Sequence, residues 1–397
     1  MLSETEQRIA SAVADRAGAL LDDLRLHVNT PTGKAYKPGL DETRERLTAR
    51  LAALGADISL HPGEPKPSWL IGGDPESEPP PTAVCRRTRP GMPSVLIAGH
   101  LDTVHDPESD FRELSISPDG KTATGPGCVD MKGGLVIAVA ALEVLEEVGV
   151  DCSWTFFFNS DEETGTYHSR GTLEEESRKH DRGIALEPAL PGGELAIERM
   201  GAGQFMVECR GRSAHVGRAF TEGVSAVTKL AECLLKIAEM PDPARGRILS
   251  VGPLQGGPVV NAVPDLARAW GNVRFKNPAI GDEISAMLDA LATDKNAMPA
   301  VEVFRSFNRP AKPLIPETEA LGLLARDVAE CLGQKLPFAG TGGVCDGNIM
   351  QNVGLPTIDT LGVRGGGLHT PEEWIELDSL VERCQLLAVL LSRIAAG

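Results

Sequence analysis

Ser94-Val-Leu-Ile-Ala-Gly-His100-Leu-Asp102-Thr103 is a short apolar run that stops at a histidine, with a carboxylate two residues later. Val95 to Ala98 include no polar residue and Gly99 follows, which fits a buried strand of a parallel sheet ending at its carboxyl edge. Open α/β sheets build their sites at that edge. On an extended backbone His100 and Asp102 point the same way, so the carboxylate is placed to orient an imidazole that faces a metal. Taken alone, the triplet favours a blander reading, a solvated histidine beside a turn aspartate. The rest of the chain reverses that reading.

Toward the amino terminus, Ser3 and Glu6 form a capping box, and Ile9, Val13, Ala17, Leu20, Leu21 and Leu24 recur at helical spacing. One helix is predicted up to about Val28, a second over 43–54 closed by Gly55, and a strand over 56–60. Residues 63–93 hold many prolines and charges without a period, which predicts an exposed excursion. Beyond the opening stretch, the glycine-rich turn Gly125-Pro-Gly-Cys-Val-Asp130-Met-Lys-Gly-Gly134 leads into a strongly apolar helix over 135–148. A buried strand over 154–158 ends at Asp161-Glu162-Glu163-Thr-Gly165, and a third over 184–186 ends at Glu187-Pro188. Three successive strand ends thus carry His/Asp, Glu/Glu and Glu, the pattern of a doubly wound, mainly parallel α/β layer.

After Pro191-Gly-Gly193 the order becomes βαββαβ, with strands over 204–209, 247–252, 265–275 and 301–307 and helices over 223–239 and 282–291. That is a ferredoxin-like α+β unit, placed at 198–309 and inserted into a parent domain of 1–197 and 310–397. The parent resumes with a helix over 317–332, a loop at Ala339-Gly-Thr-Gly-Gly343, a strand over 356–359 and a final helix from Leu377.

A formal charge of −17 disfavours nucleic acid and anionic membrane surfaces as partners. The eight cysteines are scattered singly with no C-x-x-C pair, so neither a disulfide framework nor a zinc ribbon is indicated. A polar amino terminus without an apolar core segment, and no apolar run of membrane-spanning length, predict a cytoplasmic protein.

Divalent cations bind carboxylates and imidazoles. His100, Asp130, Glu162, Glu163, Glu187 and His369 all sit in turns flanked by Gly or Pro, where core packing gives no reason for them. By contrast, Glu174-Glu-Glu176 reads as a solvated helix face, and His105, His168 and His180 as solvated histidines.

With these motifs in place the chain resembles the M20 metallopeptidases and deacylases. Gly99-His-Leu-Asp-Thr103, the turn at 125–134, Asp161-Glu-Glu-Thr-Gly165, Leu186-Glu-Pro188, Gly211-Arg-Ser-Ala-His-Val-Gly217 and Gly365-Gly-Gly-Leu-His369 occur in the family's order. The resemblance implies two zinc ions, with cobalt or manganese as substitutes. Asp130 would bridge them, His100 and Glu187 would complete one site, and Glu163 and His369 the other. It further implies Asp102 as the carboxylate orienting His100, Glu162 as the general base, and a cis peptide at Asp130-Met131. His215 would reach the site of a partner subunit, which implies a homodimer through the inserted lid domain. Asn261 and Arg274 would clamp a substrate carboxylate, and Gly342 and Gly343 would approach the substrate backbone. The implied substrate is a small peptide with a free carboxyl end or an N-acyl amino acid, with the carboxypeptidase G2-like branch closest and deacylation the alternative. A catalytically silent binding protein would have lost a ligand or Glu162, and none is missing.

Overall fold

The computed structural model describes residues 1–71 and 80–397. Its central sheet has the order Asp57–His61, Thr82–Arg87, Ser153–Asn159, Ser94–His100, Arg182–Ala185, Thr357–Ile358. The last four strands are mutually parallel, and the first two pair antiparallel at one side. Both faces are covered. Val95 and Ile97 pack into the core around helix Gly133–Val148, while Leu96 and Ala98 pack with Phe157, Leu173, Ile349 and Met350 on the other face. This two-sided burial explains the unbroken apolar run in the sequence.

The register fixes where the polar strand ends fall. His100 lies beside Asn159, and Ala98 lies beside both Phe157 and Ala185. The three turns carrying His100, Glu162 and Glu187 therefore leave one edge of the sheet next to one another. Helix Gly133–Val148 starts against the third turn, where a Cβ on Gly134 would lie 2.4 Å from the Leu186 carbonyl oxygen.

A second sheet has the order Arg247–Gly256, Leu266–Phe275, Gly201–Arg210, Ala300–Arg309 and is antiparallel throughout. Helices Ala226–Ala238 and Pro278–Asp289 share its separate core, built around Phe205, Val207, Ile237, Ile284 and Leu288. Along the chain this reads βαββαβ, as expected. The segments joining the two sheets are bonded to each other: Arg199 and Lys312 exchange both backbone hydrogen bonds, at 2.9 and 3.0 Å. Both also pair with buried Asp359, at 2.8 and 3.1 Å.

Several expectations are corrected. The first helix is two, Glu4–Ala14 and Ala17–Val28, parted where Arg16 turns aside to pair with Glu143 and Glu147. The stretch 63–93 is only partly an exposed excursion, since Thr82–Arg87 is a buried strand; residues 72–79 of it lie outside the described residues. The first part of the expected loop at 339–343 belongs to a strand, Phe338–Thr341, which pairs with Leu195–Arg199. Glu176 is not solvated, because its buried carboxylate takes Lys179 at 2.9 Å and also Arg86. The three histidines also have partners: His105 on Glu373, His168 on Glu64, and His180 on Thr155 and the Glu176 carbonyl.

The contact at Gly134 yields a stability prediction. Gly134→Ala forces backbone apart at the helix start and is expected to cost about 1–3 kcal/mol, read as a lowered midpoint in urea unfolding.

Candidate active site

Two clusters of potential metal donors share one residue: His100, Asp130 and Glu187 form one, and Asp130, Glu163 and His369 the other. His100 Nε2 stands 3.3 Å from Asp130 Oδ1 and 4.0 Å from Glu187 Oε1. On the other side His369 Nε2 stands 3.4 Å from Asp130 Oδ2 and 3.2 Å from Glu163 Oε2. The two oxygens of Asp130 thus face different clusters. His100 Nε2 and Asp130 Oδ1 are buried without a hydrogen-bond partner, a costly state that a cation between them would relieve. His369 holds its ring there from a turn with φ +63°, and the Asp130-Met131 peptide is cis as the resemblance implied.

Electrostatics agree with that donor chemistry. Burial, reinforced by Asp130, pushes Glu187 up to about 8. Burial also raises Glu162 well above the carboxylate range, with Arg309 opposing and Glu187 adding to it. Burial would lower the His100 imidazole, but Asp102 and Asp130 outweigh it and hold it well above its usual value. Carboxylates crowded out of water and short of positive charge are the electrostatic signature of a dication site.

The backbone carbonyl of Asp102, rather than the carboxylate expected to orient the histidine, stands nearer the His100 ring. The ring nitrogen His100 Nδ1 lies 2.9 Å from the Asp102 carbonyl oxygen and 3.5 Å from its carboxylate. That carboxylate instead accepts the backbone N–H groups of Glu162 at 3.3 Å and Glu163 at 3.0 Å. One residue therefore ties the ends of two adjacent strands together.

Glu373, absent from the sequence reading, does the same for the Asp130 turn. It is fully buried and accepts the N–H groups of Gly127 (2.8 Å), Val129 (2.9 Å) and Asp130 (3.0 Å). The same carboxylate also meets His105 Nε2 at 2.6 Å. Four residues after His369, it joins the two loops that supply Asp130 and His369. The available signal was the unexplained carboxylate so close to His369 in Leu368-His-Thr-Pro-Glu-Glu373.

The clusters open into a cleft of about 730 Å³ between the two sheets. Across the second sheet, Arg274, Ala202 and Arg309 are paired neighbours, so the small Ala202 sits between two arginines. Arg309 is neutralised: it contacts Glu162 Oε1 at 2.6 Å and Asp346 Oδ1 at 2.7 Å. Arg274 lines the cleft, and no carboxylate pairs with it among the described residues; burial and the nearby Arg309 lower its pKa. Gly343 also lines the cleft and Gly342 stands just beside it, exposed. His215 and Asn261 do not reach this cleft. They lie next to each other on the surface, where Val216 N–H donates to the Asn261 carbonyl and His215 pairs with Ala262.

The sequence pattern of Peptidase family M20/M25/M40 matches residues 96–393. The chain belongs to peptidase family M20. Carboxypeptidase G2 of Pseudomonas sp. (strain RS-16) is 27% identical over 398 residues, covering 97% of this chain and 92% of that protein. Succinyl-diaminopimelate desuccinylase 2 of Shewanella loihica is 25% identical over 377 residues, covering 87% and 93%. The YXEP protein of Bacillus subtilis, a dinuclear metal-binding peptidase of the M20 family, superposes with a TM-score of 0.68. It is 15% identical, with 97% of this chain and 99% of that chain covered. As an M20 member, the protein is a metal-dependent hydrolase of amide bonds.

Partners that hold ligand-bearing loops typically matter 10–100-fold to metal affinity. Glu373→Gln is therefore expected to weaken divalent-metal binding by about that factor, in competition with a chromophoric chelator, while far-UV circular dichroism stays unchanged.

Proposed function

We propose that the protein is a co-catalytic di-zinc amidohydrolase that releases a carboxylate-bearing amino acid from a peptide or an N-acyl conjugate. The carrying observation is the pair of donor clusters sharing Asp130, set beside Glu162 in a cleft that holds the unneutralised Arg274. His100 and Glu187 would hold one ion, Glu163 and His369 the other, and Asp130 both; the hard oxygen and imidazole donor set suits zinc, with cobalt or manganese able to replace it. When bound, zinc polarises the scissile carbonyl and makes water more acidic.

The protein's own groups would handle the protons and the substrate. Glu162 takes a proton from the attacking water and later delivers it to the nitrogen of the leaving amine. Arg309, 2.6 Å from Glu162 Oε1, fixes that carboxylate. Arg274 receives the substrate carboxylate, for which a guanidinium offers paired donors. The named relatives support two versions, a carboxypeptidase and a deacylase acting on an N-acyl amino acid. A panel of dipeptides and N-acyl amino acids, scored by amine release, separates them.

We further propose that residues 198–309 form an inserted lid and dimerisation domain on a parent of 1–197 and 310–397. His215 and Asn261 would act in a partner's cleft; support comes from their exposure beside Val259 and the fully exposed Val260. No described helix is long and apolar enough to cross a membrane, and all eight cysteines are unpaired, which suits the proposed cytoplasmic location.

Two measurements test this reading. Glu162→Gln is expected to keep bound zinc by mass spectrometry yet lose about 10²–10⁴-fold in turnover; retained turnover would remove Glu162 as the base. If His215 acts in trans, mixing inactive His215→Ala with inactive Glu162→Gln restores activity through heterodimers carrying one intact site. No restoration, together with a monomeric mass by light scattering, removes that role.

A further inference from the structure

The segment that follows the edge strand Asp57–His61 enters the cleft with a residue that the proposed chemistry leaves unused. It is fastened at both ends. Glu64 N–H donates to the His168 carbonyl at 2.8 Å, and the Glu64 carbonyl meets His168 Nδ1 at 2.5 Å, which ties it to the loop after Glu163. Further along, the Trp69 carbonyl accepts Trp270 Nε1–H at 2.7 Å, and the Trp69 ring lies 6.3 Å from that of Phe304. Trp270 and Phe304 belong to the second sheet, so this strap spans the two sheets beside the cleft mouth.

Between those anchors Lys66 lines the cleft with Leu70 and Ile71. Its Nζ donates to Thr164 Oγ1 at 2.7 Å, one residue beyond Glu163. An ammonium has three donors, and a neutral hydroxyl satisfies one of them. No carboxylate pairs with Lys66 among the described residues. Burial pulls its pKa below the usual lysine value, with Asp161 and Asp102 working the other way. A cation held at a fixed place in a cleft, with no described carboxylate in contact with it, has donors free to meet an anion that enters. Arg274 is in the same condition elsewhere in the same cleft.

We propose that Lys66 is a specificity-determining residue that receives an anionic group of the substrate additional to the carboxylate at Arg274. The cleft would then select N-acyl or peptidyl amino acids that carry two anionic groups. This inference rests on the amidohydrolase reading for the word substrate, but not for the binding itself. The second anion can belong to the released amino acid's side chain or to the acyl group, and both sources offer a carboxylate.

Calorimetric binding to the zinc-loaded full-length protein tests it without requiring turnover. L-glutamate against L-glutamine probes the side-chain source, and succinate against butyrate probes the acyl source. Lys66→Met is expected to weaken L-glutamate or succinate at least about tenfold while changing L-glutamine and butyrate by less than about twofold. Lys66→Arg, which keeps the charge, is expected to restore most of the lost affinity. Equal weakening of charged and neutral members would mean that Lys66 only fixes the strap, and no change in any would mean that it meets no ligand; either overturns the proposal. Loss of the amidohydrolase reading appears separately, as retained turnover in Glu162→Gln.

Discussion

Carboxylates repel one another, and the repulsion grows as water is removed. At the edge of the central sheet the chain holds Asp130, Glu162, Glu163 and Glu187 together in a largely desolvated place, where each uncompensated charge costs several kcal/mol. The surrounding architecture supplies the compensation. Asp102 and Glu373 are themselves carboxylates, yet they add no uncompensated charge because backbone N–H groups and His105 surround them. Arg309 answers Glu162 and Asp346. What remains unanswered is the charge between the two histidines, which is where a divalent cation belongs.

The same constraint explains why rigid elements carry the site. Three parallel strands end in register, so a shift of one strand by a residue would turn His100 away from Asp130. Glycines at 99 and 134 let helix Gly133–Val148 press close to the strand ends, where a Cβ at Gly99 would lie 2.6 Å from Leu135 Cδ2. Loops alone would not keep four anions at such spacing; the apolar strands and the buried helix behind them absorb the repulsion.

Local sequence carried the pieces whose physics is local. Val95 to Ala98 announced a strand buried on both faces, and polar residues straight after apolar strands announced the site. The strand Thr82–Arg87 was hidden because prolines and charges flank it and its burial depends on pairing with Ser153–Asn159, some seventy residues away. The roles of Glu373 and Arg309 were missed for a related reason, though the position of Glu373 so near His369 was a faint signal. Their partners are backbone amides and a carboxylate brought near by folding, at separations of 243 and 147 residues for Asp130 and Glu162. Glu176 misled because a run of three glutamates on a helix looks solvated, whereas only the chain crossing at Arg86 decides which one turns inward.

The cleft lies between two sheets with separate cores, and the connections between them decide what the site can recognise. Arg199, Lys312 and Asp359 lock the two crossover segments together in a buried ionic cluster, so the sheets meet at a defined junction. Next to that junction the second sheet offers Arg274 and Arg309 on either side of Ala202. These guanidiniums have different fates because only Arg309 lies within reach of the acidic turns, which leave it neutralised. Charge left over after folding marks what a ligand must bring, and by that criterion the metal edge of the cleft calls for cations while Arg274 and Lys66 call for anions. An amide flanked by carboxylate groups would meet both demands at once, with its carbonyl toward the metal edge and its anionic ends toward Arg274 and Lys66, which no carboxylate pairs with among the described residues.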